Sequence, residues 1–200
     1  MVKKLLTTLI AMICIPIMVF CGCSKTKSDL DSINLKRYFA DTVTCTTHGK
    51  TSSTTVSLKD LISEEPNTEI IGRYSEFSFS GEGVWLYKMY IDYIYFYVYT
   101  NIDSSSQMTL NITMTNLAKE NDIENPETFT TNCSLIPQKE GSTLCEIKVG
   151  KVVATATGSK LTIDTLNTPE AFQDEFGEDN GLRWCIYDLK FFAESRPYSK

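Results

Sequence analysis

The chain carries one histidine and two tryptophans, and none of its seven cysteines stands in a C-x-x-C spacing. Serine or cysteine catalysis with a histidine base would have to use His48. That residue sits in Thr46-Thr47-His48-Gly49-Lys50, a turn-like stretch with no nucleophile elbow beside it. A zinc site lacks its usual ligand spacing, and there is no glycine-rich phosphate loop. Positive charge is also short: 19 Lys and Arg face 25 Asp and Glu, for a net charge of −6. Nucleic acid and anionic headgroups are therefore not expected partners of the surface. A glycosidase-type pair of carboxylates stays open, because folding and not sequence spacing sets such pairs. No internal repeat or low-complexity tract is present.

The N-terminus begins with the basic Met1-Val2-Lys3-Lys4. From Leu5 to Phe20 it is apolar apart from Thr7 and Thr8, and it carries no charge. This is the layout of a secretory signal. The run reaches the roughly 18 residues of a spanning helix only if its cysteines are counted, and Pro16 interrupts it; an uncleaved anchor is the alternative.

The run ends in Phe20-Cys21-Gly22-Cys23, which resembles the lipobox of bacterial lipoproteins: a small residue directly before the cysteine and an apolar one three positions before it. The resemblance covers the first 23 residues. It implies cleavage before Cys23, acylation of Cys23 and a place in the cell envelope, on a membrane and facing away from the cytoplasm. Two or more acyl chains anchor stably where one does not. Ser24 to Asp29 is polar and aperiodic, as a flexible tether would be. Three segments are expected: a signal peptide over 1–22, the lipidated cysteine and tether over 23–32, and a folded domain over 33–200.

Loss of residues 1–22 removes Lys3 and Lys4 and no acid, leaving 178 residues with a formal charge of −8. That length suits a single domain with a real core. Cys14 and Cys21 leave with the signal and Cys23 is lipidated, so Cys45, Cys133, Cys145 and Cys185 remain. An even number in an exported chain allows two disulfides, in any of three pairings. Cys133 and Cys145 flank the turn-like Pro137-Gln138-Lys139-Glu140-Gly141 symmetrically, as cross-strand partners of a hairpin would. The expected pairs are Cys133 with Cys145 and Cys45 with Cys185; four reduced thiols in the core are the alternative.

Between Gln107 and Leu117, the apolar Met108, Leu110, Ile112 and Met114 alternate with polar residues, which predicts a half-buried strand. Upstream, residues 90–99 place Ile94, Phe96 and Val98 on one face and Tyr93, Tyr95, Tyr97 and Tyr99 on the other, with Asn101-Ile102-Asp103-Ser104 as the turn to the next strand. Further strands are predicted over 42–47, 54–58, 69–80, 84–89, 128–136, 144–157, 160–163 and 182–192. Short, regularly spaced strands argue for an all-β antiparallel sandwich. One helix is predicted from the Thr168-Pro169 start to Gly177, and a second short helical turn after Ser57, through Asp60 to Glu64.

The last strand, Leu182-Arg183-Trp184-Cys185-Ile186-Tyr187-Asp188-Leu189-Lys190-Phe191, resembles the closing strand of galactose-binding-type jelly rolls over about ten residues. The resemblance implies a jelly-roll-like sandwich with first and last strands side by side, which agrees with a Cys45–Cys185 link. An immunoglobulin-like sandwich is the alternative topology.

Six of the ten tyrosines fall between Tyr87 and Tyr99. A row of rings on a sheet is a surface on which sugars or a partner chain can stack. The candidate ligand-binding residues are therefore Tyr93, Tyr95, Tyr97, Tyr99 and Trp85; the alternative is that these rings pack under loops. Asp174, Glu175, Glu178 and Asp179 could donate oxygens to calcium but do not match a known loop and read as a solvated helix end. No cofactor is otherwise expected. Asn111-Ile112-Thr113 and Asn132-Cys133-Ser134 match the N-glycosylation pattern, which a bacterial lipoprotein would not normally use. The expected function is non-enzymatic recognition of a glycan or protein partner through the aromatic face. A lipid-anchored glycan hydrolase and an accessory subunit of an envelope complex are the alternatives.

Overall fold

A computed structural model describes residues 31–47, 52–81, 89–101, 107–119, 121–136, 138–139, 143–154, 159–165 and 183–194. The chain divides into two compact units, Met1–Leu30 and Asp31–Lys200. The first unit lies outside the described residues, as do His48, Trp85, positions 84–88 of the strand predicted over 84–89, the helix predicted from Thr168 and the acidic run that begins within it.

Ten strands dominate the described residues of the second unit: β1 Asp31–Ser32, β2 Thr42–Thr47, β3 Ser53–Ser57, β4 Tyr74–Ser80, β5 Tyr90–Thr100, β6 Met108–Ala118, β7 Glu127–Leu135, β8 Thr143–Val153, β9 Lys160–Thr165 and β10 Trp184–Glu194. Every pairing between these strands is antiparallel. In β5 and β6 each inward residue of the alternating pattern is buried: Ile94, Phe96 and Val98 in one, Met108, Leu110, Ile112 and Met114 in the other. The region before β4 is shorter in strand than its sequence suggests. Asn67 caps a 3-10 turn at Thr68–Ile70 instead, its side chain accepting from the Glu69 N–H.

The order of strands gives the topology. β1-β10-β5-β8 form one sheet; β7-β6-β9-β4 form the other, extended by β2 and β3. Among the described strands the ladder between the two sheets is where Leu117 and Ala118 of β6 meet Val153 and Val152 of β8. Strand pairs nest, β1 with β10, β4 with β9, β5 with β8 and β6 with β7, and successive pairs alternate between sheets. That nesting is a jelly roll, with β2–β3 as an added hairpin, and it displaces the immunoglobulin-like alternative. β5 and β6, neighbours in sequence, consequently lie in opposite sheets.

Both inner faces feed one core. Phe39 meets Phe79 of one sheet at 5.6 Å and Phe191 of the other at 5.8 Å, both edge-on. Phe77 meets Trp184 at 4.9 Å across the same gap. The Trp184 indole N–H donates to the Tyr74 carbonyl, so the largest core side chain is satisfied as well as buried. Full burial of each such ring stabilises by roughly 1.5–3 kcal/mol. The short helix after Ser57 is α1, Leu58–Leu61, which ends before the predicted Glu64. The Ser57 side chain caps it, Leu58 and Leu61 enter the core, and it packs against β10.

Two cysteine expectations need correction. Cys133 and Cys145 do form a disulfide, with Cα atoms 6.1 Å apart, but not within a hairpin. β7 pairs with β6 and β8 with β5, so the bond joins the edges of opposite sheets. Cys45 and Cys185 are free and buried. The strand beside β10 is β1, whereas Cys45 is on β2, which lies in the other sheet between β3 and β4.

Candidate functional site

The outer faces of the two sheets differ in chemistry. On β7-β6-β9-β4-β2 the outward positions are polar and mostly short, among them Thr109, Asn111, Thr113, Thr130, Ser134 and Thr162, with Glu76, Lys160 and Asp164 as charged members. Their hydroxyls pair across strands, Thr109 with Ser134 at 3.1 Å and Thr113 with Thr130 at 3.4 Å. On β8-β5-β10 the outward positions carry rings.

Register arranges those rings in rungs across three strands. Leu144, Tyr97 and Tyr187 form one; Glu146, Tyr95 and Lys190 the next; Lys148, Tyr93 and Phe192 the third. Tyr99 continues the row opposite Cys185. Tyr93, Tyr95, Tyr97 and Tyr99 are all half-buried, and none belongs to the core. Tyr95 stacks on Phe192 with centroids 5.1 Å apart and planes 21° apart. Tyr97 stacks on Tyr187 at 5.4 Å and 23°. Tyr95 and Tyr97 meet edge-on at 6.3 Å. The rings thus hold one another in place, and Leu144, 43% exposed, extends the apolar rung to the edge of the sheet.

A bulge in β10 puts Lys190 into this face. Tyr187 pairs with Tyr97 and Lys190 with Tyr95, so Asp188 and Leu189 together oppose Phe96. Asp188 takes a left-handed φ of 51°, and its N–H donates to the Ser63 carbonyl at 2.7 Å, in the segment after α1. The extra residue resets the alternation: Trp184 and Ile186 point inward before it, Leu189 and Phe191 after it. Lys190 therefore emerges among the rings.

The Lys190 ammonium lies 5.6 Å from the centroid of the Tyr95 ring, 2.7 Å from Asp188 Oδ1 and 3.7 Å from Glu64 Oε1. Partial burial disfavours its charge, but hydrogen bonds and charge from Asp188 and Tyr95 outweigh that cost and raise its pKa above the ordinary lysine value. Lys190 is charged at any physiological pH. A cation over a ring face at this range is a cation–π contact.

Of the residues singled out in the sequence, the four tyrosines share this face. Tyr187, Phe192, Lys190, Asp188 and Glu64 were not foreseen. The signal for the first three was present: the apolar period in 184–191 slips by one between Ile186 and Leu189, which marks a bulge and sets the facing of every later residue. Among the described residues no group of three or more His, Cys, Asp or Glu could hold a metal ion, and no helix is long and apolar enough to cross a membrane.

No protein family matches the chain, and no curated protein does. Two solved structures are similar at a low level. One is TmCBM61, a carbohydrate-binding module in complex with β-1,4-galactotriose, 14% identical with a TM-score of 0.31, over 62% of this chain and 72% of that one. The other is the CBM22-1–GH10 modules of the Clostridium thermocellum N-terminal endo-1,4-β-D-xylanase 10B complexed with xylohexaose, 14% identical with a TM-score of 0.36. That match covers 80% of this chain and 26% of the xylanase modules.

Proposed function

We propose that the jelly-roll unit is a non-enzymatic glycan-binding module that takes its ligand on the outer face of β8-β5-β10, and that acyl chains on Cys23 hold it at the outer side of a cell-envelope membrane. One observation carries the binding reading. Among the described residues, Tyr93, Tyr95, Tyr97, Tyr99 and Phe192 are gathered on one outer face, while the other is built chiefly of threonine, serine and asparagine with the charged Glu76, Lys160 and Asp164. Core packing does not require that sorting, since Ile94, Phe96 and Val98 already fill the inner side of β5. Half-buried rings locked by their neighbours offer apolar area and hydroxyl groups with little side-chain entropy left to lose on binding. Sugar rings match such a surface, with apolar C–H faces for the rings and hydroxyls for the polar groups between them.

The test replaces Tyr95 and Tyr97 together with Ser and follows retardation in native gels containing soluble polysaccharides. Retardation of the wild type should be lost in the double variant and kept in Thr113→Ala on the opposite face. The loss of stacked pairs should lower stability by about 1–3 kcal/mol without unfolding the domain. Retention of binding in the double variant overturns the site. Cleavage of a bound polysaccharide would replace the reading with the hydrolase.

A further inference from the structure

Lys190, Glu64 and Asp188 stand beside the Tyr95 ring, and their arrangement bears on which sugars the face accepts. We infer that the Lys190–Glu64 pair makes the aromatic face selective for neutral glycans that present vicinal hydroxyls, and that it turns away polymers of uronic acids. The inference rests on the glycan-binding reading and names the ligand class of that same site.

The argument begins with the ammonium. It sits 2.7 Å from Asp188 and 3.7 Å from Glu64 and rests on the Tyr95 ring. Asp188 is only 7% exposed, fixed by the bulge and by the bond from its N–H to Ser63, so it anchors Lys190 and does not reach a ligand. Glu64 is different: its side chain is 85% exposed, and its carboxylate stands at the rim of the rings.

An ammonium has three N–H donors and a carboxylate accepts at two oxygens. Two adjacent sugar hydroxyls satisfy both at once, one oxygen accepting from Lys190 and one O–H donating to Glu64. No net charge has to be brought in. A uronate carboxylate meets the opposite situation. Lys190 is already shared between two acids, Asp188 and Glu64, and β8 adds one lysine and one acid opposite Tyr93 and Tyr95, Lys148 and Glu146, so these five charges leave one acid in excess. A carboxylate would have to displace Glu64 from Lys190 and enter that field, and like charges at this range repel.

The experiment compares wild type, Glu64→Ala and Glu64→Lys in native gels and by titration calorimetry. The probes are three neutral polymers, β-1,4-galactan, arabinoxylan and mixed-linkage glucan, and one uronate polymer, polygalacturonate. Glu64 makes no core contact, so both variants fold, and circular dichroism checks it. Wild type should bind at least one neutral polymer and not polygalacturonate. Glu64→Ala should bind that neutral polymer about tenfold more weakly, the loss of one hydrogen bond to a charged group. Glu64→Lys should lose it similarly and gain polygalacturonate. Wild-type preference for polygalacturonate, or unchanged neutral affinity in both variants, overturns the inference and leaves glycan binding standing. Binding to none of the four polymers by wild type overturns the glycan reading itself.

Discussion

Cys133 and Cys145 tie the edge of one sheet to the edge of the other, their Cα atoms 6.1 Å apart and twelve residues apart in the chain. Cys145 lies between Leu144 and Glu146, both of which face outward beside Tyr97 and Tyr95. The bond therefore closes the open side of the sandwich and pins the rim of the aromatic face together. Closing a loop of this size removes denatured-state entropy equivalent to about 3 kcal/mol. Cys133→Ala with Cys145→Ala, or reduction of the wild type, should lower urea-unfolding stability by about 2–4 kcal/mol. Equal stability of oxidised and reduced protein would show that the bond constrains nothing.

Gly72 is the second point where a small change should be felt. It exchanges both backbone hydrogen bonds with Trp184, and a Cβ there would lie inside contact distance of the Tyr74 ring. That ring packs on Phe77, which packs on Trp184. Gly72→Ala should force the Tyr74 ring aside and cost about 1–3 kcal/mol, the range of core overpacking. Thermal unfolding measures it, with altered tryptophan fluorescence as the local sign.

Much of this fold was legible in alternation alone. The pattern in Tyr90–Thr100 and Met108–Ala118 predicts both strands and their inward residues, and it predicts that the tyrosines face away from the core. Which strands pair was not legible. A turn signal such as Pro137 to Gly141 reports that the chain reverses, not which sheet each arm joins. Most of β7 is exposed, so little apolar burial decides its partner, and it pairs through the hydroxyl and amide ladder of β6. The Cys45–Cys185 expectation failed for a related reason. It assumed that the first long strand is the first strand of the roll, but that place belongs to the two-residue β1, too short to signal in sequence. Lys190 was missed because the slip of the apolar period between Ile186 and Leu189 was not read as a bulge; the Asp188 N–H to Ser63 carbonyl bond that holds the bulge is distant in sequence.

The lipobox-like Phe20-Cys21-Gly22-Cys23 carries its own test. Cys23→Ser should leave an unlipidated precursor that retains its signal, seen as slower migration and loss of label from radioactive palmitate. Normal processing of that variant would remove the lipid anchor and leave the binding proposal untouched.

Cys45 and Cys185 make alkaline stability a further readout. Both are fully buried, and burial pushes each thiol from the ordinary 9.0 up to about 12. The unfolded chain releases these protons near 9, while the folded chain keeps them until about 12. Between those values the folded state binds more protons, so stability falls as pH rises; it is fully present below the unfolded pKa and lost on approach to the folded one. Each thiol should contribute a slope of about 1.4 kcal/mol per pH unit. Cys45→Ala should remove one such contribution, so urea-unfolding free energies of variant and wild type should converge as pH rises from about 9 to about 11. The difference between the two proteins isolates the thiol from tyrosines and lysines that titrate in the same range. Native-state alkylation by iodoacetamide should also be slow at neutral pH, because only the thiolate reacts and both sulfurs are covered. Parallel pH profiles, or labelling as fast as in urea, would show that the two cysteines are neither buried nor protonated as their place in the sandwich requires.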